Sequence, residues 1–146
     1  MRKESDPFDM HAFPFEVSLR FFGQTIDPSE ISSQLGLEPK WKYKMGDFRT
    51  NPKGIVLGGV YDSSYCSFLI TPQSHEELHE TLDRVVDNLL QHESLFCRIR
   101  DSGGCIEFFI GWFSTGNTGD TFSNILLKKL GRLQIDLAFD VYGDKE

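Results

Sequence analysis

The spacing of hydrophobic residues divides the first half of the chain into alternating strands and one helix. Over residues 15–21 apolar and polar side chains alternate, which predicts a half-buried strand. Asp27 is placed to cap a helix that Gly36 ends, because glycine accepts the left-handed conformation of a helix C-terminus. Two further apolar runs, residues 55–61 and 65–71, predict strands.

In the second half, apolar residues recur at helical spacing over about residues 75–91: Leu78, Leu82, Val85, Val86 and Leu89. A hairpin with strands at 95–100 and 105–113 is predicted next, followed by a helix over about 121–130. The final strand, residues 133–141, alternates with its apolar residues pointing inward.

Two parts of the chain repeat one order of elements: a strand, a polar loop, a capped helix and a terminal Leu-Gly. We therefore predict an α+β fold in which helices pack on one face of a mostly antiparallel sheet. A ferredoxin-like or related two-layer sandwich with a strand–helix pseudo-repeat is the expected architecture. Residues 13–143 are predicted to form a single domain, with a flexible N-terminal leader at 1–12 and a C-terminal tail at 144–146.

Composition and charge narrow the classes of partner. The 146 residues carry a net charge of −7, which opposes attraction to phosphate backbones and anionic lipid, so we expect neither a nucleic-acid nor a membrane partner. Three cysteines without a C-x-x-C pair argue against a disulfide framework or a structural zinc site. With neither an apolar signal segment nor an 18-residue apolar run, the sequence predicts a cytoplasmic protein.

The stretch from Lys40 to Lys44, KWKYK, alternates three lysines with Trp41 and Tyr43. In a strand the two residue types lie on opposite faces, so bases stacked on the rings would not meet the lysines. We interpret the stretch as an edge strand with its aromatic rings on the core and its lysines in water, where they discourage pairing between sheets.

The segment His75-Glu76-Glu77-Leu78-His79 matches the H-E-x-x-H pattern, in which two histidines bind one zinc ion and Glu76 activates its water. A third ligand is needed, and Glu107 is the candidate that the sequence offers. At the start of a helix the acids have a simpler role, since they complement the positive helix N-terminus. We expect no metal and no cofactor, and a zinc hydrolase using His75, His79 and Glu107 is the alternative.

The glycine-rich loop at residues 116–121 suggests a phosphate cradle, but its spacing is wrong for one. Asp120 stands where a cation is required and would repel phosphate. We interpret Asp120 as the cap of the following helix.

The outward face of the predicted sheet mixes charges with aromatic rings, a composition that suits either cross-strand ion pairs or a recognition surface. The predicted binding surface consists of Arg20, Arg98, Arg100, Phe109, Asp136, Asp140 and Tyr142, together with Trp41 and Tyr43 of the KWKYK stretch. Phe96 is also expected to point outward from this face.

The helix motif DP-x-E-I-x-x-x-L-G-L-E-P (residues 27–39), followed by Lys44, Gly46 and Asp47, resembles the opening of a bacterial family catalogued as domain of unknown function 4279. The ending Leu130-Gly131, then residues 133–136 and Val141-Tyr142, is similar to the close of that family. The resemblance covers about residues 13–143 and implies the fold and one domain. It brings no catalytic residues, because the family carries no established activity. One departure is that Tyr61, Tyr65 and Phe68 are found where a tryptophan is expected.

These observations together predict a non-catalytic binding module whose partner is another protein or a small ligand. A sharper hypothesis is an immunity-type protein that contacts a cationic macromolecule, because negative charge accelerates such encounters. Homodimerisation through the open sheet or the KWKYK edge is a further alternative.

Overall fold

The computed structural model describes residues 13–143, in which four α-helices pack on one face of a five-stranded sheet and a separate two-stranded hairpin projects from it. The strands are β1 (Phe15–Gly23), β2 (Trp41–Tyr43), β3 (Phe48–Thr50), β4 (Val56–Val60), β5 (Ser64–Ile70), β6 (Cys105–Phe113) and β7 (Asp136–Tyr142). The helices are α1 (Pro28–Leu35), α2 (Leu78–Leu89), α3 (Glu93–Asp101) and α4 (Asn124–Arg132), with a 3-10 turn (Leu90–His92) between α2 and α3. The predicted leader at 1–12 and tail at 144–146 lie outside the described residues.

The order of strands in the main sheet is β2-β5-β1-β6-β7. All neighbours are antiparallel except β6 and β7, which run parallel. From β1 to β6 the main sheet and its helices follow the β-α-β-β-α-β order of a ferredoxin-like fold, which α4 and β7 extend by one parallel strand. The predicted α+β class is confirmed, and both strand–helix units occur in the structure.

One core lies between the sheet and the helices. Alternate residues of the three central strands point into it and are buried: Val17, Leu19, Phe21, Cys66, Phe68, Ile70, Ile106, Phe108 and Ile110. Each helix adds apolar residues to the same cluster, among them Ile31, Leu82, Phe96 and Leu126. The opposite face of the sheet therefore remains open, and we call it the open face. Within the described residues, none of the helices has the length and apolar character needed to cross a bilayer.

Helix α1 has the predicted ends. The Asp27 carboxylate accepts a hydrogen bond from the Ser29 amide (3.0 Å), and Gly36 ends the helix in the left-handed conformation with φ +67°. Local capping chemistry alone is enough to fix both boundaries.

The predicted hairpin at 95–113 is wrong, because residues 95–100 belong to helix α3 and only the second strand exists. Leu95, Phe96 and Ile99 are buried at the spacing of one helical face. Phe96, predicted to point outward, is fully buried and packs edge-on against Phe21 at 5.6 Å. Leu95, Cys97 and Ile99 also alternate as a strand would, and this coincidence produced the error.

Other boundaries shift by a few residues. Helix α2 begins at Leu78, and α4 begins after Ser123, whose hydroxyl accepts the Leu126 amide (3.1 Å). Leu133 and Ile135 are buried before β7 starts. The inward side of β7 is as predicted, but its later apolar residues are exposed because β7 is an edge strand.

Between β2 and β5, residues 44–61 form the projecting hairpin, which we call the arm. The ring of Tyr61 stacks on Tyr43 at 3.6 Å and so fixes the base of the arm to β2. The Tyr61 hydroxyl donates to the Thr50 carbonyl (3.0 Å) and accepts from the Thr50 amide (3.3 Å), which joins the two strands.

Candidate functional site

The open face is built by the residues that alternate with the core positions. It presents Trp41 and Tyr43 from β2, Tyr65, Ser67 and Leu69 from β5, and Glu16, Ser18, Arg20 and Phe22 from β1. From β6 and β7 it presents Glu107, Phe109, Phe113, Asp136, Asp140 and Tyr142. Rings and charges thus share one surface of the molecule.

One row of residues crosses all five strands at the centre of this face. The strand register aligns Trp41, Ser67, Arg20, Glu107 and Asp136 side by side. Aligned cross-strand neighbours lie close enough for their side chains to interact, and within this row Arg20 and Glu107 form an ion pair.

Arg20 lies at the middle of that row and is held from two sides. Its Nη2 contacts the Glu107 carboxylate at 2.9 Å, while its guanidinium lies over the Phe109 ring, 4.3 Å from the centroid. The two side chains are only 30% and 15% exposed, and the buried Nε of Arg20 lacks a hydrogen-bond partner among residues 13–143. A rigid, partly desolvated arginine is typical of interface centres.

Tyrosines flank Arg20 on the β2 side. Tyr43 stacks between Tyr61 at 3.6 Å and Tyr65 at 5.4 Å, so three rings form one continuous surface. Burial, and then the neighbouring tyrosines, raise the pKa of Tyr43, which keeps this phenol neutral. Such rings supply contact area with little loss of side-chain freedom on binding.

The β7 side of the open face ends in a second group of rings and acids. Phe113 and Tyr142 stack at 5.0 Å, and the Tyr142 hydroxyl donates to the Asp140 carboxylate, which raises the pKa of Tyr142. Glu16 of β1 lies across β6 from Asp140, and its carboxylate is 3.8 Å from Lys40 Nζ. We call Glu16, Phe113, Asp140 and Tyr142 the acidic patch.

The KWKYK stretch is an edge strand as predicted, but its faces are reversed. Trp41 pairs with Ser67 and Tyr43 with Tyr65 on the open face, whereas Lys42 pairs with Cys66 on the helix side. Lys42 is exposed there, which shows that the helix layer does not cover this edge. The rings of the stretch therefore enlarge the open face and do not pack on the core.

Seven of the nine predicted binding residues lie on the open face, and the two arginines of α3 do not. Arg98 lies on the helix side and pairs with Glu30 of α1 at 2.9 Å. Arg100 reaches round the margin of the sheet, where it contacts Asp136 at 3.0 Å and donates to the Ile106 carbonyl. Both displacements follow from the error at residues 95–100.

The predicted zinc ligands are not gathered in one place. His75 lies in the turn before α2 with φ +64°, and His79 lies in the first turn of the helix. Glu107 belongs to the open face, where it pairs with Arg20, on the opposite side of the sheet from α2. The sequence match at 75–79 does not place its two histidines on one helical face, because the helix starts too late.

Glu76, the acid that would activate water, is a structural residue. It contacts Arg84 at 2.8 Å and accepts hydrogen bonds from Thr81 (2.8 Å) and the Gln73 amide (2.9 Å). The Arg84 hydrogen bond is the main reason that the pKa of Glu76 is lowered to about 2. A carboxylate of such low basicity is a poor general base at neutral pH.

His79 is tied to Asp120, which has a different role from the one predicted. The Asp120 carboxylate lies 2.7 Å from His79 Nδ1 and also accepts the His79 backbone N–H at 2.9 Å. Asp120 therefore caps α2 from a distant loop, while Ser123 caps α4.

Among the described residues 13–143, Glu77, His79 and Glu80 form a group of three potential metal ligands whose donor atoms lie within 4.8 Å of one another. The two acids already form the capping box of α2, in which the Glu80 carboxylate accepts the Glu77 amide at 3.0 Å. Local helix chemistry accounts for this cluster.

A cleft of about 360 Å³ opens beside His79, between the first turns of α2 and α4. Its volume is that of a small-ligand site. The charges that line it are already paired within the fold, Glu76 with Arg84 and Asp83 with Lys129 at 3.0 Å.

Two parts of the surface were not predicted from the sequence. Tyr65 and Leu69 on β5 belong to the open face, and the alternation of residues 64–70 could have identified them. The arm was predicted only as a strand-like run, although two adjacent glycines, Gly58 and Gly59, indicated an irregular strand.

A family model, that of the domain of unknown function DUF4279, matches residues 13–144. No curated protein and no solved structure matches the chain. The family resemblance predicted from the sequence is thus confirmed over nearly the whole length of the chain. Because the family carries no assigned function, the open face is the source of evidence on what the chain does.

Proposed function

We propose a binding function for this chain, which belongs to the family of the domain of unknown function DUF4279. It is a non-catalytic interaction module that contacts a positively charged macromolecular partner through its open face. The observation that carries the proposal is the uncovered surface in which Arg20 is held against Glu107 and Phe109 and surrounded by partly exposed rings.

The chemistry of the open face supports a protein partner. Aromatic residues and arginine are enriched at the centres of protein interfaces, where they supply most of the binding energy. The open face combines both types with two small polar neighbours, Ser18 and the buried Ser67.

The charge of the open face supports a cationic partner. Four carboxylates, those of Glu16, Glu107, Asp136 and Asp140, share the face with one arginine, while Arg100 reaches Asp136 from the margin and Lys40 lies 3.8 Å from Glu16. The net charge of −7 adds long-range attraction for such a partner. An immunity-type protein that masks a cationic toxin is the specific form of this proposal, in a bacterial cytoplasm compatible with three free cysteines.

The zinc hydrolase alternative has less support. It requires His75, His79 and Glu107 to approach one another, whereas Glu107 is paired on the open face. Metal analysis of the purified protein tests it: a stoichiometric zinc ion lost on changing His75 and His79 to alanine would establish it in place of the binding module.

Site-specific photo-crosslinking in the source cells tests the binding proposal. A photoreactive residue at Leu69, exposed on the open face, is compared with one at Asn88, exposed on α2. We expect a discrete adduct with a basic protein from position 69 and none from position 88. Adducts from position 88 alone would contradict the proposal.

The crosslinked partner is then purified and its affinity measured. Asp140→Lys is expected to weaken binding, because it reverses a charge of the open face, whereas Asp101→Lys, at an exposed position at the end of α3, serves as the control. Equal loss for both variants would show a general charge effect and no role for the face.

A further inference from the structure

The arm has the character of a binding element rather than a supporting hairpin. Phe48 is 75% exposed, and Ile55, Val56, Leu57 and Val60 are each more than half exposed. Because apolar side chains that are adjacent in sequence are all exposed, neither face of the arm is buried against the rest of the fold. Exposed apolar groups of this density mark interaction sites.

The arm and its base also carry a charge opposite to that of the rest of the molecule. Residues 40–61 hold five cations and one carboxylate, a net charge of +4, and all six are exposed. Because the whole chain has a charge of −7, the remaining residues carry −11. A partner for the arm therefore needs an apolar surface with an acidic margin.

The acidic patch has both properties. Phe113 and Tyr142 form a stacked and exposed apolar pair, and Glu16 and Asp140 place two carboxylates beside it. The arm adjoins the sheet at β2, whereas Phe113, Asp140 and Tyr142 of the patch lie on β6 and β7. Glu16 lies between them on β1, and its carboxylate is 3.8 Å from Lys40 Nζ of the same molecule. The distance from β2 to β7 is about 19 Å across the strands, so a second copy is better placed than the same molecule to bring the tip of the arm to Phe113 and Tyr142.

We infer that the arm of one copy docks on the acidic patch of a second copy, and that the reciprocal contact closes a two-fold symmetric dimer. Phe48 and the apolar residues of β4 cover Phe113 and Tyr142, while Arg49 and Lys53 approach Glu16 and Asp140. A two-fold axis forms both contacts at once, since each copy offers one arm and one patch. The inference rests on the proposed binding use of the open face and assigns the basic arm of a second copy to it.

Two charge-reversed variants test the inference by sedimentation velocity. Arg49→Glu with Lys53→Glu reverses the arm, and Glu16→Lys with Asp140→Lys reverses the patch. Each variant alone brings like charges together in both contacts, so we expect a dissociation constant at least about tenfold larger than that of the wild type.

An equimolar mixture of the two variants is expected to dimerise again. In the mixed dimer one contact has both charges reversed and the other has neither, so attraction is restored in both. This recovery also shows that the variants are folded. Phe48→Ser should weaken the dimer as well, whereas Ile125→Ser, at an apolar residue of α4 that is also mostly exposed, should not.

A wild-type protein that stays monomeric over the whole accessible concentration range overturns the inference, as does a mixture that fails to dimerise. A monomer that co-sediments with phosphatidylglycerol vesicles through Arg49 and Lys53 would assign the arm to lipid instead. If the protein is monomeric yet crosslinks through position 69 to a basic protein, only the second-copy inference fails. A dimer that tolerates both reversals would argue against binding by the open face itself.

Discussion

At the scale of single residues, the pair of Arg20 and Glu107 fixes the centre of the open face. Both side chains are mostly covered, so the pair is screened less than a surface ion pair and is more costly to break. The Phe109 ring restricts the guanidinium on its remaining side. The same contacts that would make Arg20 a rigid binding group therefore also contribute to stability.

Removing the carboxylate charge should show this. We expect Glu107→Gln to lower the free energy of unfolding by about 1–2 kcal/mol, because it leaves the half-buried Arg20 without its counter-charge. Urea denaturation measures the change. Combining it with Arg20→Met should cost less than the sum of the single changes, and strict additivity would show that the two residues are not coupled.

Glu76 gives a pH-dependent test of its structural role. Its pKa is lowered from 4.5 to about 2, chiefly by Arg84, so the folded state favours the ionised form. The stabilisation is complete above about pH 4.5 and is lost as the pH falls towards 2. Glu76→Gln should therefore lower Tm at neutral pH, and its difference from the wild type should shrink over this interval. Glu38→Gln, at an exposed site, should show a much smaller effect; a pH-independent loss at Glu76 would contradict the assignment.

The three cysteines should differ in reactivity. Burial raises the pKa of the Cys66 thiol to about 12, whereas Cys97 and Cys105 are partly exposed. Since the thiolate is the reactive form, iodoacetamide should modify Cys66 only after unfolding. Mass spectrometry measures the labelling of each cysteine. Rapid labelling of Cys66 in the native protein would contradict its burial in the core.

At the scale of elements, sequence patterns correctly predicted the features that depend on neighbouring residues alone. The cap at Asp27 and the stop at Gly36 depend on neighbouring residues, and both are found. Segment 95–100 fits a strand and a helix equally well, so tertiary burial of Phe96 decided it. Which side chains of β2 become buried depends on how far the helix layer extends over the edge of the sheet. The residue pattern within β2 does not contain that information.

The turn from α3 to β6 offers a matched test of packing. A side-chain carbon added at Gly104 would lie 2.7 Å from Ile99 Cγ2 and 2.9 Å from its carbonyl oxygen, whereas at Gly131 in α4 it would meet open space. Gly104→Ala should destabilise the protein by about 1–3 kcal/mol. Gly131→Ala should be stabilising by about 0.5–1 kcal/mol, because alanine favours the helix. Chemical denaturation compares them, and equal effects would contradict this packing.

At the scale of the whole molecule, one layer of helices leaves one face of the sheet uncovered, and charge is unevenly divided along the chain. Residues 40–61 are basic and would attract acidic surfaces, whereas the rest of the chain is acidic and would attract basic ones. The net charge of −7 hides this division. Net charge alone predicts only solubility and steering, whereas its distribution over the fold identifies the surfaces that oppose charges can bind.

Hydroxyl-radical footprinting, performed in the source cells and on the dilute purified protein, tests the central claim most directly. It compares open-face side chains, Leu69 and Tyr142, with Ile125 and Leu127 of α4, which are similarly exposed. The account predicts that oxidation of Leu69 and Tyr142 falls in cells while that of the α4 residues is unchanged. Equal oxidation of the open face in both settings, or protection confined to α4, would contradict it.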